Sequence, residues 1–151
     1  MSGERSLIDA NVLVYAFYAD AEQYLPSRNL LDAAGRGDLR LCVTSQVLAE
    51  FFSIITSPKR VSVARTPQEA LEAVELLLSL DVVSVLPSPE TVPKIWIDLL
   101  RRRPVSGGRV FDLQLVASMT ANNVRTIYTF NRRDFELFAE LDVRTPSLET
   151  K

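Results

Sequence analysis

Four acidic side chains stand in or beside apolar segments of this chain. Asp9 lies in Leu7-Ile8-Asp9-Ala10-Asn11-Val12-Leu13, and Glu50 in Thr44-Ser45-Gln46-Val47-Leu48-Ala49-Glu50-Phe51-Phe52. Asp112 lies in Val110-Phe111-Asp112-Leu113-Gln114-Leu115-Val116-Ala117, and Asp134 in Thr129-Phe130-Asn131-Arg132-Arg133-Asp134-Phe135. Singly, each has a plain structural reading: Asp9 and Asp112 suit helix N-termini, and Asp134 suits a loop or cap. Gathered in one crevice, such carboxylates repel one another and lift their pKa values unless a cation joins them. Carboxylate oxygens are hard donors, so Mg²⁺ or Mn²⁺ is the cation that suits this set. An ion held this way activates water and neutralises a phosphodiester, which points to metal-assisted hydrolysis of phosphate esters.

Composition narrows the alternatives. The 151 residues contain no histidine and one cysteine, Cys42. That excludes internal disulfides, histidine metal clusters and any Ser-His or Cys-His catalytic pair. Lys plus Arg number 17 against 19 for Asp plus Glu, so bulk charge does not draw the chain to nucleic acid. A polyanion would have to meet a local patch. Lys59-Arg60, Arg101-Arg102-Arg103, Arg109 and Arg132-Arg133 are the candidates, and of these Arg109, Arg132 and Arg133 abut the acidic segments. The Arg101–Arg103 run reads as a solvated helix end.

With 47% hydrophobic and 24% charged residues, the chain reads as one globular domain over residues 1–151. Leu7 to Ala19 follows Arg5 in the manner of an export signal, but Asp9 and Asn11 interrupt its apolar run. No segment approaches the roughly 20 apolar residues of a membrane span. The reading is a cytoplasmic protein with no membrane association.

The elements that must position the acids follow from periodicity. A first strand ends at Asp9 and runs into a helix. Arg28 to Arg36 has helical spacing and is closed by Gly35 and Gly37. A strand over Leu39–Val43 leads through Thr44-Ser45, hydroxyl residues suited to capping, into a helix over Gln46–Thr56 that carries Glu50 on or beside its buried side. Thr66-Pro67 with Glu69 forms a capping box for a helix whose core positions read as Leu71, Val74, Leu77 and Leu78. A third strand covers Asp81–Leu86. A helix over Glu90–Arg103 turns Val92, Ile95, Trp96 and Leu99 inward, and another spans Val110–Ala121. A fourth strand, Arg125–Thr129, is followed by a short helical piece and an extended piece around Val143. Strands alternating with helices predict an α/β fold with a parallel sheet covered on both faces.

The four acidic segments, spaced by 41 (50 minus 9), 62 (112 minus 50) and 22 (134 minus 112) residues, resemble the signature of the PIN-domain ribonucleases and, within them, the VapC-type toxins of bacterial toxin-antitoxin pairs. The resemblance covers nearly the whole chain in the right order. It implies a three-layer α/β/α sandwich, an acidic crevice that binds Mg²⁺ or Mn²⁺, and cleavage of single-stranded or loop RNA. By position it implies Asp9, Glu50, Asp112 and Asp134 as the metal-binding and catalytic acids. Asn11, Thr129, Asn131 and Ser45 become supporting groups, with Ser45 serving equally well as a helix cap. Asn131 departs from the pattern, because many family members carry an acid there. The implied partners are an RNA substrate, a cognate antitoxin and a second copy of the chain.

Two other classes follow from departures. A non-catalytic or weakly catalytic RNA-binding or regulatory protein of the same fold follows if Asn131 weakens the site. An aspartyl-nucleophile phosphatase would want a second Asp two residues after Asp9, where Asn11 stands. Cys42 reads as a small core residue, and Trp96 as core. Tyr15, Phe17 and Tyr18, where exposed, would suit a dimer or antitoxin surface.

Overall fold

The computed structural model describes residues 3–79 and 82–148. Strand β1 (Arg5–Ile8) is central in a five-stranded sheet of order β3-β2-β1-β4-β5, and every pairing is parallel. The other strands are β2 (Arg40–Val43), β3 (Val83–Val85), β4 (Thr126–Tyr128) and β5 (Asp142–Arg144). Helices α1 (Ala10–Tyr15) and α2 (Tyr24–Gly35) join β1 to β2, and α3 (Ser45–Ile55) and α4 (Pro67–Ser79) join β2 to β3. The chain then reverses direction across the sheet through α5 (Val92–Arg102) and α6 (Arg109–Ala121). Right-handed crossovers taken in opposite directions put α1 to α4 on one face and α5 with α6 on the other. The packing agrees: α1 lies against α2 and α3, α3 against α4, and α5 against α6. The result is the three-layer α/β/α sandwich with a central parallel sheet expected from the sequence.

The three inner strands, β2, β1 and β4, are apolar because helices cover both faces. Leu7, Ile8, Cys42, Val43 and Ile127 are fully buried, together with Phe51 and Met119 from the flanking helices. Cys42 is core as expected, and burial pushes its thiol up to about 11. Gly37, at φ 84°, closes α2 with the paired bonds of a Schellman motif: Gly37 N–H to the Ala34 carbonyl (3.0 Å) and Asp38 N–H to that of Ala33 (2.9 Å). The Thr66–Glu69 capping box forms in both directions, at 2.9 and 3.1 Å.

Several expectations are corrected. Helix α2 begins at Tyr24, not Arg28, because Pro26 falls in its first turn, where no N–H is required. The buried line of α4 is Ala70, Ala73 and Leu77, leaving Leu71 and Leu78 45% and 43% exposed. Asp81, the expected first residue of the third strand, lies outside the described residues. Tyr18 is buried and donates to the Val63 carbonyl (2.9 Å), and Phe17 packs on Phe51 with centroids 5.4 Å apart. Tyr18 thus offers little surface, and Phe17 is half-buried. Trp96 is half-buried and ties α5 to α6 through Nε1 and the Val110 carbonyl (2.9 Å). Among the described residues no helix is long and apolar enough to cross a membrane.

Candidate functional site

The sheet order reverses at β1, whose neighbours β2 and β4 are reached by crossovers of opposite direction. The carboxyl edge beside such a reversal is where open α/β sheets bind ligands. The register Ile8↔Tyr128 sets the next residues, Asp9 and Thr129, side by side at that edge. Asp9 is 9% exposed and Thr129 fully buried. One carboxylate oxygen of Asp9 accepts the Ala10 N–H (2.8 Å), capping α1. The other accepts from the Thr129 hydroxyl (2.7 Å) and the Asn11 amide (3.2 Å). Asn11 also accepts the Phe130 N–H (3.1 Å), and Thr129 Oγ1 accepts the Asn131 N–H (2.9 Å). Capping and membership of an acidic cluster are thus compatible roles for Asp9.

Two helices bring further acids to this edge. Thr44 caps α3 by accepting the Val47 N–H (3.1 Å). Ser45 is therefore the first helical residue, exposed, and the capping role falls to its neighbour. Val47, Phe51 and Ile55 form the buried line of α3. Glu50 stands beside it, within the expected range, but is exposed rather than turned from solvent. Helix α6 must run from the carboxyl edge back to the start of β4, so its first turn, with Asp112, faces the same edge. Asp112 is half-buried and caps nothing by its side chain. Asp134 sits in the one-turn helix Arg132–Asp134 after β4.

The acids feel one another. Burial raises the pKa of Asp9, with a further push from Asp134, against the bonds from Thr129, Ala10 and Asn11. Glu50 is raised first by the crevice walls that displace part of its hydration, then by Asp9 and Asp112; Arg60 and Gln46 oppose this. Asp112 is pushed up to about 6 by burial, Asp134 and Asp9, with Arg109 opposing. As placed, the described residues contain no group of three acids closed into a cage around one ion. The donor set nonetheless fits a divalent cation. It is all hard oxygen, it is under-neutralised, and the Asp112 and Asp134 carboxylates accept no hydrogen bond among the described residues, so they can turn toward a ligand.

Sequence reasoning undervalued two residues. Gln46 donates from Nε2 to the Phe111 carbonyl (3.0 Å), bridging α3 and α6 over the sheet edge, while its Oε1 is buried without a partner. Its position one turn before Glu50 was the available signal. Arg60 opposes the charge of Glu50 and lines the cavity beside Asn11 and Asn131. Its local sequence marks it only as half of the Lys59-Arg60 pair, away from the acidic segments, and the loop after α3 carries it to the site. Of the expected cationic contacts, Arg109 stands beside Asp112, whereas Arg132 is tied to Glu136 (2.9 Å) and the Val143 carbonyl (2.9 Å). Arg133 is exposed and has no hydrogen-bond or ion-pair partner among the described residues. Asn131 is exposed and serves the cluster through its backbone.

Comparison with known proteins places these features in context. Residues 6–141 match the PIN domain family. Ribonuclease VapC43 of Mycobacterium tuberculosis and VapC ribonuclease Mb2897 of Mycobacterium bovis are each 30% identical over 139 residues, 92% of this chain and 93% of theirs. Among solved structures, VapBC2 from Rickettsia felis bound to a promoter DNA fragment matches with a TM-score of 0.68 at 17% identity, over 95% of this chain and 99% of that one. VapC20 of M. tuberculosis, described as a sarcin-ricin loop cleaving toxin, matches with a TM-score of 0.64 at 13% identity, over 87% of this chain and 94% of that one. At those identities the structural likeness speaks to the fold.

Proposed function

This chain belongs to the PIN-domain family, in its VapC-type branch, and on that premise we propose that it is a divalent-metal-dependent ribonuclease, the toxin of a toxin-antitoxin pair, acting as one domain. The observation that carries the proposal is the mutual electrostatic coupling of Asp9, Glu50 and Asp112 at the carboxyl edge beside the β1 reversal. The ribonuclease names of the relatives and the hard-oxygen donor set support the same reading.

In this reading Asp9 and Asp112 hold Mg²⁺ or Mn²⁺, with Glu50 and Asp134 completing or flanking the set. When bound, such an ion supplies charge neutralisation for the phosphodiester and acidifies water. Thr129 and Asn11 keep one Asp9 oxygen in a fixed direction. Glu50, exposed and with a raised pKa, accepts the proton of the attacking water. Arg60 and Arg109 meet the phosphate charge that the acids would otherwise repel. The proposed partners are RNA, a cognate antitoxin and a second copy of the chain. Relatives of this fold solved as VapBC support the antitoxin.

The test is cleavage of structured RNA by the purified, antitoxin-free chain with Mn²⁺, with Mg²⁺ and with chelator. Cleavage that requires the cation is expected. RNA binding without cation-dependent cutting would instead favour the non-catalytic regulatory reading that Asn131 keeps open.

A further inference from the structure

We infer that the cavity beside Asn11 and Asn131 is a nucleobase subsite, seating one base of the RNA next to the cleaved phosphate; this rests on the ribonuclease reading above. The cavity is about 450 Å³, in the range of small-molecule sites and large enough for a base with its ribose. It is separate from the acids but shares a wall with them: Asn11 lines it and hydrogen-bonds Asp9 at 3.2 Å. A nucleotide held there has its phosphate beside the acidic cluster.

The lining has what a base requires. Tyr15 and Phe130 both line it, half-buried and packed edge to face with centroids 5.4 Å apart and planes at 89°, so each ring fixes the other. Fixed aromatic rings are the usual platforms for unstacked bases, and every base offers a π-face. Asn131 carries both a donor and an acceptor, and its side-chain amide has no partner among the described residues. It can therefore read a base edge, which gives a use to the position where the family pattern often has an acid. Arg60 supplies positive charge at the side nearer Glu50. Arg60 and the Asn131 amide give the cavity a charge and a donor-acceptor pair that a nucleotide matches and an apolar side chain of a protein partner does not, so the chemistry favours a nucleotide.

The experiment is an NMR titration of the full, metal-free chain with the four ribonucleoside 5′-monophosphates, with ribose 5-phosphate as control. The nucleotides are expected to shift the Tyr15, Phe130 and Asn131 signals, and ribose 5-phosphate to leave those signals in place. Tyr15→Leu is expected to raise the dissociation constant about five- to hundred-fold, with the amide spectrum away from the cavity unchanged. Asn131→Ala is expected to alter the ranking among the four bases. Equal shifts with ribose 5-phosphate would reduce the cavity to an anion site and overturn the inference. So would unchanged affinity in Tyr15→Leu, or shifts at Tyr15 and Phe130 produced only by the purified cognate antitoxin. Nucleotide binding is read without cleavage, so a chain that binds as expected yet cuts no RNA would break the ribonuclease reading alone.

Discussion

Asp9 is held at the end of β1 by three hydrogen bonds and is almost wholly buried, whereas Asp112 projects from α6 with no hydrogen bond to its carboxylate among the described residues. One side of the crevice is fixed by the sheet. The other, carried by α3, α6 and the turn at Asp134, is held by helix packing and leaves its carboxylates free to turn. The difference is physical rather than incidental. A buried carboxylate survives only with its lone pairs engaged, while helix-borne acids at the rim can keep their charge for a ligand and tolerate repulsion through water. Asp9 thus sets the direction of the site, and the rim acids supply the uncompensated charge.

Substitutions should separate the two sides by sign. The largest effect is expected from Asp112→Asn, which removes an uncompensated charge. RNA cleavage should fall on the order of a hundred-fold or more, while the metal-free protein becomes more stable at pH 7 by up to about 1 kcal/mol, as active-site relief commonly does. Parallel cleavage assays and urea unfolding measure both. Loss of stability together with activity would mean that Asp112 belongs to the fixed side. Thr129→Val should act oppositely. It leaves an Asp9 oxygen without its closest donor, costing about 1–3 kcal/mol in unfolding free energy, and it lowers cation affinity roughly 10- to 100-fold by calorimetry.

A third expectation concerns pH. Asp112 is raised from 3.8 to about 6 in the fold, so the folded state holds this proton more tightly than the unfolded chain. The contribution of Asp112 is therefore most favourable at low pH, declines as pH rises from about 4 through about 6, and is flat above. Glu50 and Asp9 are raised too and act in the same direction. Urea midpoints of the metal-free protein between pH 4 and 8 should show the decline, and Asp112→Asn should reduce its slope. The smallest effect is expected from Asn131→Asp. With Asn131 exposed and supporting Thr129 through its backbone N–H, cation affinity should change by less than about three-fold. A large gain would mean that the family's usual acid is the missing ligand.

The fixed side was the more legible in sequence. A carboxylate and an amide inside an apolar strand-helix run need a structural reason, and Asp9 with Asn11 found theirs in Thr129, a residue 120 positions away (129 minus 9) that register alone brings close. Strand order was not read from the sequence, because alternation reveals layers but not which strand is central. The rim was less legible. Glu50 sits between the buried and exposed sides of α3, where a shift of one residue, about 100° of phase, changes its meaning. Arg60 reaches the site by tertiary placement, which no local pattern encodes, whereas Gln46 was signalled only by its place one turn before Glu50. For Leu71 and Leu78 size suggests core, but the buried line of α4 runs through Ala70, Ala73 and Leu77, and which face of a helix meets the sheet depends on tertiary packing.

In the proposed function Asp9 anchors a divalent-cation centre that cleaves RNA. The most direct measurement pairs Mn²⁺ calorimetry with RNA cleavage for the wild type and Asp9→Asn, an isosteric change whose one oxygen can keep the Ala10 bond while its NH2 turns the Thr129 bond round and donates to Oγ1. Saturable Mn²⁺ binding and Mn²⁺-dependent cutting are expected in the wild type, both lost in Asp9→Asn while the folded spectrum is kept. Undiminished binding and cutting in Asp9→Asn would contradict the proposed function.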